Sequence, residues 1–390
     1  MRAQKIVIVG AGPAGSACAL ALARSTRSEI VMVDKSQYPR RKVCGSGLSP
    51  VGLKVLDGLG LIDELTPHHV HLRNLRAVGP DGGDVMLQGA KGAWVVPRVI
   101  LDHTIVRAAV NEGVELREDT KVVDVVRDAA GNARGVKTKD GEIEADFVIF
   151  ANGSPSRFEQ DTAPRYGIRT IMGWWKARLP DDGGMMVWDR RLDGYYAWAF
   201  PEPDGITNIG LTIREDLPEA KRLKDLFNEL LEDHFSMLTR HGDQVGKWMG
   251  HPATVTTRVG PITESHALYI GEAARLVCPA TVEGIAFAMK SGVLAADVLA
   301  KHQRATGSLS RFAQHRYRLN VARAMLPSFI AAETFYRFIR NDTARGTVAR
   351  FFDAQSVADR LSTLVGAVPD EHKNRTPQPA PSSGQTRASA

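Results

Sequence analysis

The hydrophobic pattern at the start of the chain predicts two buried strands separated by a helix. Residues 5–10 ("KIVIVG") and 29–34 ("EIVMVD") are short apolar runs rich in β-branched side chains, and the first closes on glycine. Residues 13–25 ("PAGSACALALARS") form an alanine-rich run that opens with proline, which is typical of a helix. A strand–helix–strand unit of this kind predicts a parallel sheet covered by helices on both faces, and therefore an α/β fold.

The pattern changes further along the chain. Residues 114–150 contain short alternating runs separated by "DAAGN" and "KDGE", which predict hairpins, and "DFVIFANG" (146–153) predicts a buried strand that returns to the first sheet. Strand-like runs in 165–262 surround one charged helix, and 284–368 has a helical pattern. Residues 369–390 are polar, rich in proline and serine, and without apolar anchors, so they are predicted to be disordered.

Composition narrows the class of protein. Hydrophobic residues make up 43% of the chain and charged residues 24%, which is typical of a globular protein. The three widely spaced cysteines, Cys18, Cys44 and Cys278, fit neither a disulfide framework nor a zinc site, and they indicate a reducing compartment. No apolar run is long enough to span a bilayer, and none of the eleven histidines has metal-site spacing. We expect a cytoplasmic protein without a metal, at most peripheral to a membrane.

Within the helical region, positive charge is concentrated in one segment. Residues 311–350 contain eight arginines, no lysine and only two acidic residues, Glu333 and Asp342, and aromatic and aliphatic side chains lie between the arginines. No nucleic-acid-binding motif accompanies this charge, so nucleic acid is not expected as a partner. Two interpretations remain open, namely a peripheral contact with a membrane or anionic lipid, and a helix whose arginines are simply solvated.

The segment "GAGPAG" (10–15) has the glycine spacing of a dinucleotide-binding turn. Gly10 would make the tight turn, Gly12 would admit a pyrophosphate, and Gly15 would let helix and strand pack closely. Asp34 ends the second strand 19 residues after Gly15, where a carboxylate would bind a ribose 2′-hydroxyl. An acidic residue at this position favours FAD or NAD over NADP, and it predicts a Rossmann-type domain.

A second segment, "LYIGEAARLVCPATVEGIAFAMKSG" (268–292), distinguishes between these cofactors. It reads as a strand, an acidic residue, a small-residue loop and a helix that opens at Gly284. Glu272 would then lie near a second polyol, and the helix N-terminus near an electron-poor ring. A cofactor held at both ends has to be long, which fits FAD and not NAD.

These patterns predict an FAD-binding domain of Rossmann type with α+β insertions, a mixed-sheet substrate domain and a helical C-terminal region. We expect the FAD-binding domain to be discontinuous, because its last strand and helix come late in the chain. The expected boundaries are 1–165 and 255–305 for the FAD-binding domain, 166–254 with pieces near 66–98 for the substrate domain, and 306–368 for the helical region.

The order of motifs resembles the FAD-dependent geranylgeranyl reductase family. After the glycine turn and the acidic residue come "CGSGLSP", "VPRVILD", "ANG" and "GEAA…P…EGI". Residues 44–47 match the family's Cys-x-Gly-Gly loop loosely, since a serine intrudes, and "YAWAFP" (196–201) matches its Tyr-x-Trp-x-Phe-Pro motif at every defined position. The family lies within a larger group that includes para-hydroxybenzoate hydroxylase-like monooxygenases and flavin halogenases.

The resemblance implies an enzyme that reduces C=C bonds of a prenyl chain by hydride transfer from reduced flavin, with NAD(P)H or a reduced ferredoxin or flavin as electron donor. It implies a substrate cavity near Tyr196, Trp198 and Phe200, and catalytic roles for Cys44, Tyr196 and Trp198. The implied cofactor-binding residues are Gly10, Gly12, Pro13, Ala14, Gly15, Asp34, Lys35, Cys44, Gly45, Ser46, Arg98, Val123, Asn152, Gly153, Glu272, Glu283, Gly284 and Ile285. The plainer alternatives are that Cys44 is a small buried apolar residue and that the aromatic residues only pack a strand pair.

Departures from the family pattern keep other functions open. Glu272 replaces the usual aspartate, Val282 the usual glycine, and Asn152 the aspartate of the hydroxylases. The halogenase pattern Gly-Trp-x-Trp-x-Ile-Pro is not met by "GWWKARLP" (173–180). The alternatives are a monooxygenase or halogenase-like enzyme acting on an aromatic or polyketide-type substrate, and a non-enzymatic flavoprotein that carries a prenyl lipid.

Overall fold

The computed structural model describes residues 3–154, 156, 158, 166–180, 183–302 and 307–351. The predicted disordered tail, 369–390, and the end of the predicted helical region, 352–368, lie outside the described residues. Among the helices that are described, none is both long enough and apolar enough to cross a membrane.

The strands and helices follow the predicted order. The strands are β1 (Lys5–Val9), β2 (Glu29–Val33), β3 (Gly47–Leu48), β4 (Val70–Val78), β5 (Asp84–Val95), β6 (Glu115–Arg117), β7 (Asp124–Arg127), β8 (Ala133–Thr138), β9 (Gly141–Glu144), β10 (Phe147–Phe150), β11 (Tyr166–Lys176), β12 (Gly184–Val187), β13 (Ala197–Glu202), β14 (Ile206–Arg214), β15 (Asp243–Gln244), β16 (Met249–Val255), β17 (Thr263–Glu264) and β18 (Ala267–Tyr269). The α-helices are α1 (Pro13–Ser25), α2 (Pro50–Gly58), α3 (Ile62–Leu65), α4 (Arg98–Asn111), α5 (Leu223–His234), α6 (Ser236–Thr239), α7 (Ile285–His302), α8 (Arg311–Arg340) and α9 (Asp342–Phe351).

The first sheet has six strands in the order β17–β18–β10–β1–β2–β6. The β1 strand pairs in parallel with β2 and β10, with Ile6 opposite Ile30 and Val7 opposite Val148, and only the β17–β18 pair is antiparallel. Every residue of β10 is buried, as expected for a strand covered by helices on both faces. The parallel sheet predicted from the apolar runs is therefore confirmed, and β10 returns to it as expected.

Helices α1 and α7 pack closely against each other because small residues line their contact. A Cβ atom on Gly292 of α7 would overlap the carbonyl oxygen of Ala14, and one on Gly271 would lie 2.8 Å from the Ala14 Cβ and 3.3 Å from the Ala288 Cβ. Since Ala14 and Ala288 lie in the first turns of α1 and α7, the N-termini of the two helices meet at the same end of the sheet.

The second sheet is mixed and has nine strands. Its order is β15–β11–β14–β13–β12–β4–β5–β3, and β16 pairs with β11. Strand β12 runs parallel to β4, whereas the other pairs are antiparallel. Helix α5 covers this sheet with Leu226, Phe227 and Leu230, which belong to a hydrophobic core separate from that of the first sheet.

A small antiparallel sheet, β7–β8–β9, corresponds to the hairpins predicted in 114–150. Helix α8 packs on both large cores with its buried face and contains Pro327. The predicted fold class, a Rossmann-type domain with a mixed-sheet domain and a helical C-terminal region, is confirmed. The exact domain boundaries stay a prediction.

Candidate active site

The glycine turn, residues 10–15, leaves one of its three motif glycines open. Gly10 has φ +101°, and a Cβ there would lie 2.5 Å from the carbonyl oxygen of Ala151. A Cβ on Gly15 would overlap the carbonyl oxygen of Gly10, so both positions require glycine because of packing. The nearest atom to a Cβ on Gly12, by contrast, would be Nη2 of Arg40, 3.6 Å away. The open face of Gly12 thus points towards a cation, as a pyrophosphate site requires.

Asp34 joins the end of β2 to the glycine turn. Its Oδ2 accepts hydrogen bonds from the Ala11 N–H (2.8 Å) and the Tyr38 hydroxyl (3.3 Å), and its Oδ1 accepts one from the Ser36 N–H (2.9 Å). The Thr120 N–H donates to the Asp34 carbonyl at 2.7 Å, which brings the segment before β7 to the same place. Val123 directly precedes β7, and its N–H donates to the Lys137 carbonyl oxygen at 2.8 Å, while Lys35 is exposed.

Arginine side chains cluster beside Gly12. Arg98, at the first turn of α4, forms a two-pronged ion pair with the buried Asp102 (2.6 and 2.7 Å), and Arg40 Nη2 lies 3.3 Å from the same carboxylate. The Nε of Arg40 is buried and has no hydrogen-bond partner among the described residues. Two guanidinium groups thus share one carboxylate, so net positive charge and a free donor remain next to the open glycine.

A second polar cluster surrounds Glu272, whose carboxylate is close enough to Lys42 and Arg98 to feel their charges. One carboxylate oxygen of Glu272, Oε1, is buried without a partner in the described part of the chain. Burial raises the pKa of Glu272, although the nearby charge of Lys42 opposes this shift. The ammonium of Lys42 lies 2.7 Å from His251 Nε2, and burial lowers the pKa of Lys42 to about 8. A hydroxyl group of a ligand would give the buried Oε1 of Glu272 the hydrogen-bond donor that it lacks among the described residues.

These features fit FAD. The open Gly12 and the unpartnered Arg40 donor suit the pyrophosphate, and the unpartnered Glu272 oxygen suits a hydroxyl of the ribityl chain. The N-termini of α1 and α7 meet at the same end of the first sheet, where their free N–H groups and positive dipole ends would suit the phosphates and the flavin ring. The individual cofactor contacts of the predicted residues, Arg98 included, stay predictions.

An aromatic cluster forms a third apolar group, separate from both large cores. It consists of Val43, Met172, Trp174, Met186, Trp188, Tyr196, Trp198 and Phe200. Trp198 and Phe200 lie on β13 and Tyr196 directly precedes it, with ring centroids 6.1 Å (Tyr196 to Trp198) and 6.4 Å (Trp198 to Phe200) apart. The structure thus brings the three residues of the aromatic motif together along one strand, as their period-two spacing predicts.

The Cys44 loop, residues 42–49, packs directly on this cluster. A Cβ on Gly45 would lie 3.1 Å from Trp198 Nε1, and one on Gly47 would lie 3.7 Å from the Phe200 ring. Trp198 itself is only 4% exposed, because it fills the space between Gly45 and Gly210 of β14. The groups that come close to these glycines are therefore aromatic rings of the protein itself, an indole at Gly45 and a phenyl ring at Gly47.

Two polar residues that sequence reasoning missed connect the loop to the sheet. Asn208 on β14 accepts a hydrogen bond from Trp198 Nε1 (2.7 Å) and donates one to the Cys44 carbonyl oxygen (3.3 Å). Glu202 accepts bonds from Trp174 Nε1 (3.3 Å) and the Ser46 hydroxyl (3.2 Å), and burial raises its pKa. The signal for Asn208 was present in the sequence, namely an amide inside the apolar run "TNIGLTI".

The loop before α7 closes the site on the other side. The Tyr196 hydroxyl donates to the Thr281 carbonyl oxygen (2.5 Å), and Glu283 accepts a bond from the Ser49 N–H (3.3 Å). Val282 has φ +52°, a left-handed conformation that strains a β-branched residue and that glycine adopts freely. This strain accounts physically for the glycine that the family pattern has at this position. The Asn152 side-chain amide donates a hydrogen bond to the Ser156 hydroxyl (3.0 Å), and the neighbouring Gly153 has φ +72°. Helix α7 begins at Ile285, directly after Gly284.

The comparisons with known proteins agree with this geometry. The family described as FAD binding domain matches residues 3–207. A menaquinone reductase of Mycolicibacterium smegmatis is 31% identical over 324 residues, covering 75% of this chain and 76% of that protein. A digeranylgeranylglycerophospholipid reductase of Methanothrix thermoacetophila is 28% identical over 320 residues, covering 76% of this chain and 77% of that protein.

Among solved structures, a geranylgeranyl bacteriochlorophyll reductase-like protein from Thermoplasma acidophilum has a TM-score of 0.76 at 20% identity, covering 93% of this chain and 100% of that one. Flavin-dependent halogenases and monooxygenases share the same fold. The prediction of FAD as cofactor is thus confirmed. The chain belongs to the FAD-binding domain family and is an FAD-dependent oxidoreductase of the geranylgeranyl and menaquinone reductase type.

Proposed function

We propose that this oxidoreductase reduces C=C bonds in the prenyl chain of a lipid. The observation that carries the proposal is that three of the four N–H and O–H side-chain groups in the aromatic cluster are already used within the protein. Trp198 Nε1 bonds Asn208, the Tyr196 hydroxyl bonds Thr281, and Trp174 Nε1 bonds Glu202. The cluster therefore offers a ligand apolar surface and ring faces, which suit a hydrocarbon chain better than a substrate that must be held by hydrogen bonds.

The residues that hold the cofactor lie at two places. The open Gly12 and Arg40 would hold the pyrophosphate, Asp34 the adenosine ribose, and Glu272 the ribityl chain. When bound, FAD supplies the hydride chemistry, with NAD(P)H or a reduced ferredoxin or flavin as the proposed electron source. The protein contributes orientation and the exclusion of water.

Within the cluster the members have different roles. Met172, Tyr196 and Trp198 are buried, with Trp198 held between two glycines, so we assign Trp198 to positioning the Cys44 loop. Val43, Trp174, Met186, Trp188 and Phe200 are only partly buried, and these side chains form the wall for the substrate. Cys44 lies on the loop that packs against Phe200, one of these side chains.

The names of the relatives support the same substrate class. The two curated reductases are named for menaquinone and for digeranylgeranylglycerophospholipid. A kynurenine 3-monooxygenase of Salinispora arenicola, 28% identical over 358 residues, supports the alternative, a monooxygenase that acts on an aromatic substrate.

Anaerobic turnover distinguishes the two. The FAD-loaded protein is reduced without oxygen, incubated separately with a menaquinone and with a digeranylgeranylglycerophospholipid, and the products are analysed by mass spectrometry. We expect one of these lipids to gain two hydrogens for each bond reduced, while the flavin is reoxidised. A product that forms only with oxygen and contains one added oxygen atom would instead establish the monooxygenase.

A further inference from the structure

Helix α8 has two faces with different surroundings. One face is buried against the cores through Ala313, Tyr317, Val321, Met325 and Phe329. The opposite face carries Phe312, Leu319 and Ile330, which are 65%, 37% and 60% exposed. Leu319 and Ile330 follow Phe312 by seven and eighteen positions, close to two and five full turns at about 3.6 residues per turn. The three large apolar side chains therefore form one exposed stripe.

The arginines of α8 differ between its two halves. In the C-terminal half, Arg337 pairs with Glu333 and Arg340 with Asp193. In the N-terminal half, the exposed residues Arg311, Arg316, Arg318 and Arg323 form no ion pair with any residue that the structure describes. The Arg340–Asp193 pair fastens the helix to the segment between β12 and β13, whereas the Arg337–Glu333 pair lies within the helix itself. The four arginines that do not pair lie around the apolar stripe. Their positive charge is not compensated by any acidic residue that the structure describes.

We propose that this face of α8, residues 311–330, is a docking surface for an anionic lipid bilayer. A bilayer surface supplies both missing partners at once, because its headgroups carry negative charge and its acyl region accepts large apolar side chains. A nucleic acid would neutralise the arginines and leave Phe312 and Ile330 in water. An acidic protein groove would have to enclose a convex helix, whereas a bilayer accepts it directly.

The other half of α8 connects this surface to the candidate active site. Phe335 contacts Trp188 edge-on, with ring centroids 5.7 Å apart, and Trp188 lies 5.8 Å from the Tyr196 ring. The helix that rests on the bilayer thus also lines the aromatic cluster, where an apolar chain drawn from the membrane would arrive. Binding of α8 to a bilayer does not require that the enzyme acts on a prenyl lipid, and it is measured without turnover. The docking proposal can therefore be refuted without refuting the proposed substrate, and the reverse also holds.

The test is flotation of the full FAD-loaded chain with vesicles. One set contains phosphatidylcholine alone, and the other contains phosphatidylcholine with about one third phosphatidylglycerol. We expect binding to the anionic vesicles that weakens as salt is raised. The double variant Arg316→Gln/Arg323→Gln should bind roughly 25-fold more weakly, about fivefold per arginine. Phe312→Ser should reduce binding on the order of tenfold.

Matched controls keep the test specific. Arg27→Gln/Arg73→Gln removes the same charge at two exposed arginines elsewhere, and Met237→Ser removes an apolar side chain that is 64% exposed outside α8. Both controls should bind like the wild type. The proposal is overturned if the anionic vesicles are not bound, if neutral vesicles bind equally well, or if the controls lose as much as the α8 variants. It is likewise overturned if DNA or RNA of mixed sequence binds this face and the vesicles do not.

Discussion

Two glycine-containing loops border the candidate site, and their glycines are required by different neighbours. In the glycine turn, a Cβ on Gly10 or Gly15 would meet backbone atoms, which cannot move without the sheet. In the Cys44 loop, a Cβ on Gly45 would meet the side chain of Trp198 on β13, a strand that is distant along the chain. The first requirement is built into a local strand–turn–helix unit and is readable as a motif. The second exists only once strands that are distant in sequence have assembled into the second sheet.

The largest difference in stability between two variants is expected inside the glycine turn, between Gly15→Val and Gly12→Val. Gly15→Val places side-chain atoms on the backbone of Gly10, so we expect a destabilisation beyond about 4 kcal/mol and little folded protein. Gly12→Val should keep the fold, because only the end of the Arg40 side chain is near, yet it should lose FAD by blocking the pyrophosphate. Thermal unfolding and flavin absorbance measure both. A Gly12→Val protein that retains one FAD per chain would contradict the assignment of this turn.

In the Cys44 loop, the corresponding test is Trp198→Ala. Removing a buried indole held between two glycines should cost about 3 kcal/mol or more, and it leaves the Asn208 carbonyl without its donor. Trp198→Phe is the matched control, since it keeps one aromatic ring at this position and loses the hydrogen bond together with the smaller part of the indole. We expect the phenylalanine variant to recover more than half of the lost stability in urea unfolding. Equal stability of both variants would show that the ring does not hold the loop.

The difference between the loops also explains what the sequence could predict. The parallel sheet, the glycine turn, Asp34 and the aromatic strand follow from local patterns, and the structure places all of them as expected. The roles of Asn208 and Glu202 could not be predicted, because their partners lie on the distant Cys44 loop. The sequence left open whether Trp198 is buried for the same reason, since the period of a strand tells which side chains share a face and not what covers that face.

Charge couples the Cys44 loop to the second sheet as well. Burial lowers the pKa of His251 to about 4, and the Lys42 charge adds to this shift. Because the folded-state pKa lies below the ordinary value of about 6.5, this contribution to stability is full above pH ~6.5 and is lost as the pH falls through 4. The free energy of unfolding that is lost as the pH falls from about 6.5 to 4 should therefore be smaller in His251→Gln than in the wild type. The expected difference is on the order of 2 kcal/mol, after allowing for partial solvent screening. Urea unfolding at several pH values checks this, and parallel curves for both proteins would refute it.

The smallest effect is expected at Val282, where backbone and side-chain requirements conflict. Its left-handed φ of +52° favours glycine, while its side chain packs against the second core. Val282→Ala loses the packing and keeps the strain, whereas Val282→Gly loses the packing and relieves the strain. We expect the glycine variant to be more stable than the alanine variant by about 1 kcal/mol, the reverse of the usual order. Comparing their melting temperatures decides the sign.

The partly exposed aromatic side chains form the proposed apolar wall for a prenyl chain. The most direct measurement is the affinity of the FAD-loaded protein for prenyl alcohols of increasing length, followed by flavin absorbance, in the wild type and in Trp188→Ala. At ~25 cal/mol per Å², a ring surface of roughly 50 Å² is worth about 1.3 kcal/mol, close to tenfold in affinity. We predict affinity that rises several-fold with each isoprene unit and a tenfold loss in Trp188→Ala for long chains only. Affinity that is independent of chain length in both proteins would contradict the account.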